Sequence, residues 1–174
     1  MSIRTYNNIT PTIGNAVYID EQSAVIGDVH IGNDSSIWPF TSVRGDVNKI
    51  RIGERTNIQD NCTIHVSHDS DHQPGGVPAI IGDDVTVGHQ VILHACTIGN
   101  RCLIGMGSLI MDKVIVGDDT FIGAGSLVTQ GKTLEGGYLY IGRPAKRVRV
   151  LSNEEKEYLS YSAQHYVRLK NKYL

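Results

Sequence analysis

Three histidines stand out in this 174-residue chain because of where they fall. His65 closes the segment RTNIQDNCTIH, and His94 closes GHQVILH, with His89 five residues before it. Neutral imidazole is a common ligand for zinc, and three imidazoles on one ion leave positions open for chemistry. Whether these three can meet depends on the elements that carry them.

Those elements follow a period of six. Ile13, Ile19, Val25, Ile31, Ile37 and Val43 are six residues apart. After a slip come Ile52, Ile58 and Ile64, after a longer gap Ile81, Val87 and Leu93, and then Ile98, Ile104, Ile110, Val116, Ile122 and Val128. A helical period of 3.6 cannot produce this spacing, and simple alternation would not single out every sixth position. Sorting the anchors in threes exposes a second period. The residue after each first anchor is glycine every time (Gly14, Gly32, Gly53, Gly82, Gly99, Gly117), whereas after the third anchor it never is. The pattern predicts an all-β solenoid of about six three-sided coils, with every break in register leaving from the same corner. Stacked coils bury the anchors in a prism and lie about 4.8 Å apart.

On this frame His65 and His94 occupy the same slot on the third face of successive coils, one strand spacing apart, which suits two imidazoles meeting one metal. His89 lies on the second face and diverges from them, so it should not reach the metal of its own chain. Three prisms packed side by side would instead bring His89 of one copy to the His65–His94 pair of the next, giving three sites per trimer. His30 and His165 read as surface or helix residues. His68 and His72 lie in VSHDSDHQPGGVPA, a Gly/Pro-rich loop that interrupts the repeat.

The remainder of the chain sets bounds. Isoleucine and valine, 20 and 16 residues, outnumber 10 leucines, which favours strands. A net charge of −2 gives no electrostatic reason to expect nucleic acid or an anionic membrane. No apolar run approaches a membrane span, and the start lacks the apolar stretch of a signal peptide, so a cytoplasmic address is expected. Three cysteines without a CxxC pair argue against disulfides and zinc knuckles. Cys62 and Cys102 read as inward-packed thiols, and Cys96 has no evident role. The repeat is expected over residues 1–150 and a C-terminal segment over 151–174. In that segment SNEE, Ser152 to Glu155, forms a capping box, followed by Leu159, Ala163, Tyr166, Leu169 and Tyr173 at helical spacing. One amphipathic helix is expected over 152–173, folded along the prism or onto a neighbour.

The hexads resemble the hexapeptide-repeat, left-handed parallel β-helix superfamily; the handedness comes from that resemblance. Within it, VRGD (Val43 to Asp46), RTNIQDNCTIH and GHQVILH resemble the γ-class carbonic anhydrases. The resemblance covers about residues 10–170. It implies a homotrimer that hydrates carbon dioxide reversibly to bicarbonate, with zinc, or iron in some members, at each subunit interface. His65, His89 and His94 then correspond to the metal ligands. Arg44 and Asp46 correspond to an ion pair between subunits, and Gln59 and Asp60 to residues that hydrogen-bond around the site. The match departs at the proton step: Val47 stands where active members carry glutamate, and the loop after His65 has His68, Asp69, Asp71 and His72 but no glutamate. His68 and His72 read first as residues of a solvated loop, and are the candidates to replace the glutamate as proton shuttle because histidine titrates near neutrality. Two other readings stay open: a hexapeptide-repeat acyltransferase with a histidine base and no metal, and a metal-binding trimer without hydratase activity.

Overall fold

The chain is described over residues 2–174 in a computed structural model. Short parallel strands stack in register on three faces. The first face carries Ile13, Ile31, Ile52, Ile81, Ile98, Val116 and Leu134. Ile19, Ile37, Ile58, Val87, Ile104, Ile122 and Tyr140 line the second. Ile3, Val25, Val43, Ile64, Leu93, Ile110 and Val128 line the third. This is one rung more per face than the six expected coils. Leu134 and Tyr140 continue the hexad step beyond Val128, with a tyrosine in the last aliphatic slot, and Ile3 joins from outside the register. The strand Ala145–Val150 then pairs antiparallel with Tyr138–Gly142 and closes the second face.

The expected anchors form the core. Those from Val25 to Val128 are at most 2% exposed, whereas Ile13 and Ile19 are only partly buried. A solenoid coil is covered by its neighbours, so those near an end stay open on one side. Cys62, Cys96 and Cys102 all lie within this core.

The faces are not equivalent. The second forms its own eight-stranded sheet, while the third and first join into one twelve-stranded sheet. The joint is two long strands, Ala24–Ile31 and Ser42–Ile52, that run round the corner without a break. Gly27 makes that corner possible. Its φ is +79°, and a Cβ there would lie 2.3 Å from the Gly45 carbonyl oxygen. The slip in the sequence period falls here, as a register shift between Gly27 and Val29.

The C-terminal helix, Asn153–Lys170, starts at the expected capping box, with Ser152 and Glu155 bonded reciprocally. It packs along the second face of its own prism, where Ser162 Oγ meets Thr86 Oγ1 at 3.0 Å and Leu159 and Ala163 are fully buried. It ends three residues earlier than the expected 173. Lys170 is fully buried, with its ammonium donating to Asp34 at 3.0 Å and to the Asn171 side chain at 2.7 Å. The chain then tightens into turns, Lys172 N–H donating to Leu169 and Tyr173 N–H to Lys170. No helix among the described residues is long and apolar enough to cross a membrane.

Candidate metal centre

His65 and His94 are register partners on adjacent coils, held there by ladder bonds on either side. Thr63 N–H donates to Val91 at 3.0 Å and Ala95 N–H to His65 at 2.9 Å. The two rings meet with His65 Nδ1 3.2 Å from His94 Nε2. Each ring turns its other nitrogen to a carboxylate. His65 Nε2 is 3.0 Å from Asp46 Oδ1, and His94 Nδ1 is 2.9 Å from Asp112 Oδ2. Arg44 donates to the second oxygen of Asp46, and Ser67 Oγ donates to Asp112 Oδ1 at 2.6 Å.

These partners fix the protonation pattern. Burial alone would raise the pKa of Asp46, but hydrogen bonds from His65 and Arg44 outweigh it and hold the carboxyl below its ordinary range. Asp112 behaves likewise, with Ser67 and His94 overcoming its burial. Both carboxylates are therefore ionised acceptors, and each draws the N–H of its histidine. The remaining nitrogens, His65 Nδ1 and His94 Nε2, then face each other as two lone pairs. Only a proton or a cation between them makes that contact favourable. Burial lowers the pKa of His65, which disfavours the proton.

The donor set fits a zinc-type ion. Two nitrogens 2.0–2.1 Å from one zinc at the tetrahedral angle stand roughly 3.3 Å apart. The observed separation of these two nitrogens is 3.2 Å, close to that spacing. Carboxylates behind each imidazole are the usual means of orienting such ligands and raising their basicity.

His89 does not join the pair. It lies at the corner between the second and third faces, with Nδ1 3.0 Å from Asp60 Oδ2, and its side chain is 48% exposed. Among the described residues no group of three or more His, Cys, Asp or Glu side chains converges on a metal position. The helix covers part of the second face, so the face expected to meet a neighbour is narrowed to the corner carrying Asp60 and His89. Gln59 lies just inside that corner, 6% exposed, and its amide donates to Asn57 Oδ1 at 3.1 Å. Arg44 and Asp46, which the resemblance pairs across subunits, are bonded within one chain.

The spacing argument did not find Asp112 or Ser67. Asp112 follows His94 by eighteen residues, one coil on, but stands one position past the histidine column, which continues as Met111, so a search of that column alone would pass it by. Ser67 lies at the root of the excursion of residues 66–78, whose stem is its antiparallel bridge to Val77. His68 and His72 are both exposed on that excursion. His30 and His165 are exposed as expected.

Comparison with known proteins agrees with this architecture. The bacterial transferase hexapeptide (six repeats) family pattern matches residues 10–45, 78–110 and 95–130. Protein YrdA of Escherichia coli is 56% identical over 172 residues, covering 99% of this chain and 94% of YrdA. A carbonic anhydrase of Geobacillus kaustophilus is 44% identical over 165 residues, covering 95% of this chain and 87% of that protein. The crystal structure of a hexapeptide transferase family protein from Anaplasma phagocytophilum superposes with a TM-score of 0.91 at 42% identity, covering 99% and 98% of the two chains. Fold and repeat together define a hexapeptide-repeat, left-handed parallel β-helix protein. Within that superfamily, the chain belongs to the γ-class carbonic anhydrase-like family.

Proposed function

We propose that this chain is a zinc-dependent carbonic anhydrase of the γ class, working as a homotrimer with its metal sites shared between subunits. One observation carries the reading: two imidazole nitrogens turned toward each other at 3.2 Å, each imidazole backed by a carboxylate. His65 and His94 would hold the metal, with His89 supplied by a neighbouring copy. When bound, zinc supplies the Lewis acidity that makes water a nucleophile near neutral pH; iron would serve the same purpose.

The chain's own groups have separable tasks. Asp46 and Asp112 hold the two tautomers, Arg44 steadies Asp46, and Ser67 steadies Asp112. Asp60 accepts from His89 Nδ1 and so presents Nε2 to a partner. Gln59, beside that corner, orients the attacking water. The proton must then leave without the glutamate that Val47 replaces. His68 and His72, exposed on the excursion that begins after His65, are the candidates for that task. A cytoplasmic address accompanies this reading.

Carbon dioxide hydration by stopped flow tests it, on protein carrying one metal per chain. The expected result is a rate well above buffer that His94→Ala abolishes. Mixed trimers test the shared site: subunits carrying His89→Ala and subunits carrying His94→Ala, each inactive alone, should regain activity together. A fully metallated trimer with no rate would leave a metal-binding protein without hydratase activity. Metal-free protein that turns over an acyl thioester would overturn the assignment in favour of an acyltransferase.

A further inference from the structure

A groove beside the corner between the first and second faces takes no part in the candidate metal centre. In a three-sided prism that corner lies opposite the third face, which carries the paired histidines. The groove has a volume of about 480 Å³ and opens on the first face, whereas the C-terminal helix packs on the second. Its floor is glycine, with Gly32, Gly53 and Gly82 stacked coil on coil. Close approach of the coils requires them, since a Cβ on Gly53 would fall 2.6 Å from the Gly82 carbonyl carbon. His30 and Arg51, register partners on adjacent coils, border the floor from the strand side. Asn33, Glu54 and Asp83 border it from the corner side.

Several of these polar groups already have partners. Glu54 accepts from Asn33 Nδ2 at 3.0 Å with one oxygen and from Arg55 at 2.9 Å with the other. Arg55 is bonded further to both oxygens of Asp84, so it is not available to the groove. Three groups keep unused capacity among the described residues. Arg51 bonds through Nη1 alone, to Asp28 Oδ1 at 2.7 Å and to the carbonyl oxygens of Asp28 and Ile50. Its Nε–Nη2 edge has no partner. His30 is exposed, and neither of its ring nitrogens is hydrogen-bonded. Asp83 accepts the Glu54 N–H at 2.8 Å with Oδ1, while its Oδ2 accepts nothing. Open donors thus stand on one bank of the groove and an open carboxylate oxygen on the other.

We propose that this groove binds a small zwitterion, an amino acid with a carboxylate at one end and an ammonium group at the other. The carboxylate fits Arg51, because its Nε–H and Nη2–H form a planar two-donor fork that matches carboxylate geometry. His30 adds a donor beside it, since an imidazole carries an N–H in either protonation state. The ammonium group meets Asp83 Oδ2 across the floor. A simple anion would face Asp83 and a simple cation would face Arg51, so a ligand carrying both charges is selected over either half. The glycine floor lets the carbon chain between the charges lie directly on the backbone.

His30 reports the groove directly. The full-length protein is titrated with β-alanine and with γ-aminobutyrate while the histidine ring C–H signals are followed by NMR. The His30 signal is assigned from its loss in His30→Gln. Butyrate and butylamine, each lacking one of the two charges, serve as controls at equal ionic strength. A saturable shift of His30 is expected with at least one amino acid, and binding about tenfold or more weaker with both controls, as loss of a charge-assisted contact entails. Arg51→Gln should remove the preference over butylamine. Asp83→Asn keeps the acceptor for the Glu54 N–H and should remove the preference over butyrate. Arg168→Gln, on the helix, should change nothing, and thermal melts verify that the variants are folded. The signals of His65 and His94 should stay in place, which separates this site from the metal centre. Four results would overturn the proposal: no saturation with either amino acid, equal affinity for a single-charge control, a response indifferent to both Arg51→Gln and Asp83→Asn, or shifts confined to His65 and His94.

Discussion

Removing Asp112 is the sharpest perturbation of the candidate metal centre, because the residue is not itself a ligand. Asp112→Ala takes away the acceptor of His94 Nδ1–H at 2.9 Å and of the Ser67 hydroxyl at 2.6 Å. The side chain is 24% exposed, so water can fill the space and the fold should lose little. His94, however, loses the group that fixes its tautomer and aims Nε2 at its partner. Loss of such support costs about 10- to 100-fold in metal affinity, or about 1.4–2.8 kcal/mol. At zinc concentrations well above Kd for both proteins, the stabilisation conferred by zinc falls by the same amount. For a chain of this size about 1 kcal/mol moves Tm by 2–4 °C, so the zinc-induced rise in Tm should shrink by about 3–11 °C. Asp112→Asn keeps an acceptor and should fall at the small end. Competition with a chromogenic chelator measures the affinities directly. If Asp112→Ala binds zinc as tightly as the parent while His94→Ala does not, the carboxylate is not an orienting group. If His94→Ala also binds normally, the pair is not the metal site.

Other outcomes follow from the same structure. Cys62, Cys96 and Cys102 are buried with thiols pushed up to about 12, chiefly by burial, so none should react with a disulfide reagent at neutral pH until the protein unfolds, when all three should. One fast-reacting thiol in native protein would contradict the packing. Glu155 is held down at about 2 by Arg149 and then by the Ser152 backbone. Its folded value is depressed, so its contribution is complete above the ordinary carboxyl range and fades as pH falls toward 2. Glu155→Gln should therefore lower Tm at pH 7 and make no difference near pH 2, and an equal deficit at both would exclude the ion pair as the cause. Ile104→Ala, at a fully buried rung between Val87 and Ile122, should cost about 2–5 kcal/mol by denaturant unfolding. A loss under about 1 kcal/mol would mean that the coils do not share one close-packed core.

The prism was legible because its physics is local and repeated. An inward aliphatic every sixth residue survives any change at the corners, so Ile31, Ile52 and Ile81 could be aligned across breaks in register. The same logic put His65 opposite His94, which the ladder reproduces. What escaped it was less regular. Tyr140 was missed because an aromatic fills an aliphatic slot, and Ile3 because it precedes the repeat. Asp112 was missed because the histidine column continues there as Met111, with the carboxylate one residue further on. Lys170 carried no warning. A basic residue at a helix end ordinarily reads as solvated, and its burial depends on Asp34, 136 residues away. The packing of Tyr173 on Trp38, ring centroids 5.3 Å apart, likewise exists only because the chain beyond the helix turns back to the second face.

The thirteen residues 66–78 leave and rejoin the prism between two strands whose alignment they do not determine. His65 and His94 are 29 residues apart in sequence yet adjacent in space, because the rungs above and below clamp each of them separately. The excursion therefore behaves as an exchangeable attachment. It can lengthen, shorten or change its side chains while the paired imidazoles keep their spacing. Ser67, at its root, is the point where such a change would be felt by the site. A protein built this way can vary how protons and solvent reach a centre without rebuilding the centre. Grafting foreign loops between Ser67 and Val77 would be the natural way to explore that freedom.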